Sequence, residues 1–137
     1  MTFLTERLAE LRKYVQHLRA IRPRVESSAT LRADLTLHND VVFSLLQVAQ
    51  LVIDVSGELA ARNGIRFETY TEAIRALEHI PGFPAGLVET LARLPGFRNI
   101  VMHDYLQLDY ELVLSAIDDL SPVEDFIRLV ARLEAAE

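Results

Sequence analysis

In the segment FRNIVMHDY, residues 97–105, an Arg, an Asn, a His and a Tyr stand among apolar neighbours. On an α-helix each residue turns about 100°, so Arg98 and Tyr105 fall within about 20° of each other and Asn99 and His103 within about 40° on the adjoining line. The four polar groups then share one side. Phe97, Ile100, Val101 and Leu108 are left on the other, where they would anchor the helix. An imidazole titrates near working pH, so His103 suits proton transfer. A guanidinium stays charged and holds phosphate with a planar fork, so Arg98 suits a phosphoryl group. Each residue taken alone also fits a plain structural role, His103 as a hydrogen-bonded helix residue and Arg98 with Tyr105 as a surface cluster. Packing does not explain their order, because apolar residues would serve a buried face better.

The elements around this segment are helical. Apolar residues recur at helical spacing almost throughout, and no stretch alternates with the period of a strand. A first helix is predicted from about Thr2 to Ala20, with Phe3, Leu4, Leu8, Leu11, Val15 and Leu18 along one side and Pro23 ending it. IRPRVESSAT is a connector. A long second helix runs from about Leu31 or Asp34 to Arg62, its core stripe formed by Val42, Leu45, Ala49, Val52, Ser56 and Leu59, and Asn63-Gly64 stops it. The small Ala49 and Ser56 would let a neighbouring helix come close. Thr69 or Thr71 caps a third helix reaching His79 before Pro81-Gly82, and a short fourth helix in AGLVETLARL ends before Pro95-Gly96.

Asp104 lands among the apolar positions if the motif helix stays regular, so it is either exposed at an end or marks a bend. Asp109 can cap a new helix at Tyr110, which implies a break between Tyr105 and Asp109. Ser121, Pro122 and Glu124 form a capping box with a first-turn proline for a last helix reaching about Ala135. The reading is an all-α, up-and-down antiparallel bundle of four to five principal helices, a single domain over residues 1–137.

A chain of 137 residues with 50% hydrophobic and 25% charged residues, five Gly and five Pro has the composition of a soluble globular domain. It has no Cys, which excludes disulfides and thiolate metal sites. The first residues lack the apolar core of a secretory signal, and no window is read as approaching the ~20 apolar residues of a membrane span, so a cytoplasmic location without membrane contact is expected. A net charge of −6 argues against coating nucleic acid through the overall field. A local basic cleft stays open as an alternative. Arg7, Arg12, Lys13, Arg19, Arg22 and Arg24 bias the N-terminal segment positive, and a solvated helix face is the preferred reading of them. His103-Asp104 spells a metal phosphohydrolase dipeptide without the further ligands such a site needs. His17, His38 and His79 have no partner at metal-binding helical spacing, and no phosphate-cradling Gly-rich loop or Gly-x-Ser-x-Gly elbow is present. No metal and no cofactor are expected.

RNIVMH followed by DY resembles the Arg-x4-His-x-Tyr motif of the HEPN superfamily, specifically the HepT-like toxins that pair with minimal nucleotidyltransferases. The likeness covers essentially the whole chain: an N-terminal helix, a long second helix with a late acidic residue (LVIDVSGEL), a Tyr-containing third segment (FETYTEAIRAL), a short helix before the motif and a closing amphipathic helix.

The resemblance implies a metal-independent endoribonuclease acting as a homodimer, with two copies of the motif meeting in a cleft and tRNA or mRNA as substrate. Attack by a ribose 2′-hydroxyl on its own phosphate needs a base, an acid for the leaving 5′-oxygen and a cation near the phosphorane. Arg98 and His103 are the catalytic candidates. One His per subunit cannot readily be both acid and base, and two His103 rings across a two-fold axis would divide the work.

The resemblance also makes Tyr105 the acceptor of AMP from a nucleotidyltransferase antitoxin, the added negative charge then repelling substrate phosphate. Its structural alternative is a half-buried phenol. Asn99 has two candidate jobs, fixing the His103 tautomer or capping a helix after Pro95-Gly96. Asp54 lies on the second helix with Phe43, Gln47 and Gln50, away from the core stripe, where it would orient Arg98 or His103 or else sit in solvent. The competing functional reading is a noncatalytic, substrate-binding partner of a minimal nucleotidyltransferase, favoured by the acidic charge. A third is a stable helical dimer without catalysis.

Overall fold

The computed structural model describes residues 2–103 and 105–136, with Tyr105 described in its backbone only. Among them the chain forms eight α-helices and three short 3-10 turns: α1 (Phe3–Ile21), α2 (Ser28–Ala33), α3 (Leu35–Arg62), α4 (Tyr70–Arg75), α5 (Ala85–Leu91), α6 (Leu94–His103), α7 (Tyr110–Asp118) and α8 (Ser121–Ala136). The fold is all-α.

Local chemistry sets most boundaries. Thr2 caps α1, its hydroxyl accepting from Thr5 N–H at 3.2 Å while Thr5 Oγ1 accepts from Thr2 N–H at 2.9 Å. Asp34 accepts from Leu37 N–H at 3.0 Å, and it separates α2 from α3. Thr69 caps α4 by accepting from Glu72 N–H at 3.1 Å. Gly64 takes φ +70°, which lets Ile65 N–H close back onto Ala60 C=O at 2.9 Å and end α3.

Three expected boundaries move, the first being the third helix, which stops at Arg75 and gives way to a 3-10 turn at Ala76–His79. Pro95-Gly96 does not separate helices: α6 starts at Leu94, so Pro95 sits in a first turn whose N–H groups have no helical acceptor, where its missing donor costs nothing. The helix at the C-terminal end includes Ser121, Glu124 N–H bonding to Leu120 C=O at 3.1 Å, so Ser121 lies inside the first turn rather than at the cap. The Glu124 carboxylate accepts from Arg19. IRPRVESSAT is also less plain than a connector, since it holds a 3-10 turn at Arg22–Arg24 and the start of α2.

The contacts fix the directions of the long helices. Late α1 meets early α3 through His17 Nε2 and Asp40 Oδ1 at 2.7 Å and through the Tyr14 and Phe43 rings, centroids 6.2 Å apart. Early α1 meets late α3 where Phe3 and Arg7 face Ile53, Asp54 and Gly57. The pair is antiparallel. α8 is antiparallel to α1 in turn, because Arg19 meets Glu124 while the Thr2 hydroxyl reaches Glu134 Oε2 at 3.3 Å. Leu4, Leu8, Leu11 and Leu18 are 0–2% exposed along this face of α1. Each buried leucine contributes roughly 1.5–3 kcal/mol. Phe3, expected with them, is 37% exposed, its ring covered by the Arg7 guanidinium at 3.7 Å.

α3 is the common wall, with α1, α4 and α6 against it. Leu45, Ala49, Val52, Ser56 and Leu59 are buried as expected, whereas Val42 is only half-buried and Val41 takes its place. Contrary to the sequence expectation, α3 holds an 18-residue window of mean hydropathy 1.4, long and apolar enough to cross a bilayer by length and composition. Half of that window is buried inside the bundle, as the core helix of a globular fold requires.

The N-terminal basic cluster is largely paired. Lys13 meets Glu10 at 3.5 Å, Arg19 meets Glu124, and Arg22 meets Asp118 at 2.5 Å.

Candidate functional site

α6 carries the motif and is held by one side. Val101 is buried, Phe97 is half-buried against the core, and Leu108, just before the next helix, is buried as well. Ile100, expected among these anchors, is 42% exposed instead. Asn99 and His103 are exposed and Arg98 is half-buried. Asn99 stands mid-helix, which removes helix capping from its candidate jobs. Its Oδ1 accepts from Arg98 Nη1 at 3.3 Å.

Arg98 and His103 are brought to one helix but not to one point. Five residues separate them by about 7.5 Å along the axis and about 140° around it. Among the described residues no hydrogen bond joins them. α6 ends at His103 and a 3-10 turn follows at Tyr105–Gln107, so the ideal-helix alignment of Tyr105 with Arg98 does not extend that far. The Tyr105 side chain and Asp104 lie outside the described residues. The expected new helix is present, Asp109 capping α7 by accepting from Glu111 N–H at 3.0 Å and Leu112 N–H at 3.3 Å.

The histidines divide by environment. His17 is engaged by Asp40 at 2.7 Å, and His38 Nδ1 lies 3.0 Å from the Tyr110 hydroxyl with the two rings edge to face. These are structural hydrogen bonds. The His103 ring is exposed at the end of α6 and meets no hydrogen-bonding group among the described residues.

Asp54 is half-buried and bonded within its own helix. Its carboxylate accepts from Gln50 Nε2 at 2.8 Å, one turn back on α3, and it pairs with neither Arg98 nor His103 among the described residues. It lines a groove of about 390 Å³ with Phe3, Arg7, Gly57, Phe67 and Tyr70. Tyr70 joins this groove to the motif, because the Arg98 guanidinium lies 5.7 Å from the centre of the Tyr70 ring, within range of a cation–π contact. Sequence reasoning gave Phe67 and Tyr70 no place in the site and read Arg7 as part of a solvated basic face. The available signal was FETY, where two aromatics stand at the start of a helix beside its capping Thr69. Among the described residues no three His, Asp or Glu side chains converge as a metal site would require.

The Ribonuclease HepT-like family matches residues 4–130. The chain belongs to that family.

A relative from Archaeoglobus fulgidus, provisionally described as an RNase, is 28% identical over 94 residues, covering 69% of this chain and 70% of its own length. The fold superposes on the tri-AMPylated HEPN toxin of Shewanella oneidensis, solved in complex with its MNT antitoxin, with a TM-score of 0.83 at 19% identity over 96% of this chain and 99% of that one. A toxin–antitoxin structure with AMP-PNP gives a TM-score of 0.82 at 18% identity, covering 94% of this chain and 97% of that one.

Proposed function

We propose that this protein is a metal-independent endoribonuclease toxin of a toxin–antitoxin pair, with Arg98 and His103 as its catalytic residues. The observation that carries the reading is a half-buried Arg98, its guanidinium 5.7 Å from the Tyr70 ring, on the same helix as an exposed His103 without a hydrogen-bonding partner among the described residues, in a chain of the HepT-like family.

The chemistry needs no group beyond side chains and substrate. A base removes the proton of a ribose 2′-hydroxyl, the 2′-oxygen bonds to the adjacent phosphorus, and the bond to the 5′-oxygen breaks as an acid protonates it. The products are a 2′,3′-cyclic phosphate and a 5′-hydroxyl. Arg98 offsets the charge that builds on the phosphorane. His103 serves as base or acid, and a second copy supplies the other, which fits the 140° that divide Arg98 and His103 on one helix. The exposed Ile100, Met102 and Leu106 around the motif give a second copy apolar surface to cover, Leu106 being 86% exposed. Asn99 supports Arg98 through its amide oxygen. Asp54 supports the site from α3 through the Tyr70 groove.

The partner is a nucleotidyltransferase antitoxin. It transfers AMP from ATP to the Tyr105 hydroxyl, the tyrosyl oxygen bonding to the α-phosphorus as pyrophosphate leaves, and the added charge keeps substrate phosphate out. The AMPylated state of the Shewanella relative in its antitoxin complex supports this assignment.

The test is cleavage of a labelled tRNA and mRNA pool by the unmodified protein in excess EDTA, beside Arg98→Ala and His103→Ala. Cyclic phosphate ends from wild type, lost in both folded variants, are expected. Equal and negligible cutting by all three would replace the reading with the noncatalytic partner of a nucleotidyltransferase, which the net charge of −6 favours.

A further inference from the structure

Beside the motif the fold builds a groove whose composition is unusual for an exposed surface. Phe3 and Phe67 are each 37% exposed and Tyr70 is 47% exposed. They come from α1, from the turn before α4 and from α4 itself, and they meet over one strip of α3. That strip contains Gly57. A methyl group at this position would lie 3.2 Å from Phe67 Cζ, so the glycine lets the phenyl ring lie against the helix. Glycine inside a helix is less favourable than alanine, and here that cost accompanies a ring that stays partly open to water.

The polar groups of the groove are arranged around these rings. The Arg7 guanidinium stacks on Phe3 at 3.7 Å, and its one ion pair among the described residues is a 3.6 Å contact with Glu6. Arg98 lies against the Tyr70 ring. A cation therefore stands beside an aromatic ring at two separate places along the groove. On its wall the Asp54 carboxylate holds one hydrogen bond, from Gln50, and has acceptor capacity left over.

We infer that this groove binds an unpaired nucleobase of single-stranded RNA next to the phosphate held by Arg98. The inference rests on the ribonuclease reading and extends it to substrate recognition. A base stacks on Tyr70 or Phe67, Asp54 accepts from an N–H on its edge, and Arg7 meets the neighbouring phosphate. Aromatic platforms flanked by cations fit a chain of flat bases joined by anions. A carboxylate accepts from N–H edges and repels phosphate, which fixes which end of the nucleotide faces it. A base inside a duplex is stacked on its neighbours and cannot enter.

The test uses a fluorescein-labelled single-stranded RNA decamer, its 2′-O-methyl form for binding, and the same sequence as a duplex. Tyr70→Ala and Phe67→Ala are each expected to weaken single-strand binding by about 5-fold to 150-fold. In cleavage Phe67→Ala raises KM and leaves kcat within about twofold, the mark of lost uniform binding, whereas Tyr70→Ala lowers kcat as well because it disturbs Arg98. Tyr70→Phe retains binding, and the duplex binds weakly to every form. Asp54→Asn, which gives the wall a donor, reorders the affinities for A, C, G and U homopolymers. Phe67 decides the matter, because Tyr70→Ala also removes the surface under Arg98.

Wild type that cuts RNA while Phe67→Ala keeps the wild-type KM and binding overturns the groove and leaves the nuclease standing. Binding lost in both variants with no cutting by wild type keeps the groove and removes the nuclease. Wild type that neither binds nor cuts removes both.

Discussion

The seam between α1 and α8 and the open face of α6 both consist of charged and polar side chains on amphipathic helices, and they treat those groups oppositely. In the seam polar groups are consumed: Arg19 on Glu124 and the Thr2 hydroxyl on Glu134, which also takes Arg62 Nη1 from the end of α3 at 2.9 Å. On α6, Arg98 has an amide oxygen and a ring beside it, and His103 has no hydrogen-bonding partner among the described residues. Polar groups that the fold satisfies serve the fold. Those left unsatisfied on a well-anchored helix are where a ligand can act.

The sharpest way to break this contrast is to remove the unsatisfied groups. His103→Ala is expected to lower RNA cleavage by about 10²–10⁴-fold, the usual share of a general acid or base, with no fall in Tm. A drop in Tm matching the loss of activity would put His103 on the structural side of the comparison. The opposite experiment truncates the core behind the seam. Phe126 is fully buried and lies 6.4 Å from Phe83, so Phe126→Ala should cost about 3–5 kcal/mol in chemical denaturation. Activity per folded molecule at low temperature should persist.

Smaller changes sharpen the picture. The Glu134 side chain is only 13% exposed and receives both Arg62 and Thr2, so Glu134→Gln should destabilise by roughly 1–2 kcal/mol and leave cleavage unchanged. The smallest effect is expected at Asp118. The hydrogen bond from Arg22 holds its carboxyl below the usual carboxylate range, against an opposing push from desolvation and with a lesser contribution from charge attraction. A depressed carboxyl stabilises the fold above its unfolded value of about 3.9, and that contribution disappears as pH falls through the folded value. Asp118→Asn should therefore lower Tm slightly near neutral pH, within the roughly 0–1 kcal/mol range of exposed pairs, and match wild type in acid. A gap that persists in acid would contradict the pairing.

The parts of this fold legible in the sequence are those decided within a few residues. Asp34, Thr69 and Asp109 cap helices where their short oxygens reach the next free N–H groups, and Asn63-Gly64 ends α3 where a left-handed residue is needed. Pro95 misled because a proline that starts a helix and one that ends the previous helix look alike in sequence. Ile100 misled because periodicity gives a face without saying whether a neighbour covers it. Arg98 and His103 could be singled out as candidates because their chemistry and spacing are local. The groove was not, since its walls come from Arg7, Asp54 and Tyr70, and only the closure of α1 and α4 onto α3 brings them together.

The seam also sets an order on folding. α1 and α3 are near neighbours in the chain and can pair once residue 62 has emerged from the ribosome, whereas Thr2 waits 132 positions for Glu134. Contacts so distant in sequence close late, after the entropy of the intervening loop has been lost. Until α8 arrives, Leu4, Leu8 and Leu11 lack one of the helices that shield them, and a chain halted before Ser121 would display an adhesive stripe to chaperones and proteases. The joining of the first helix to the eighth thus covers that stripe.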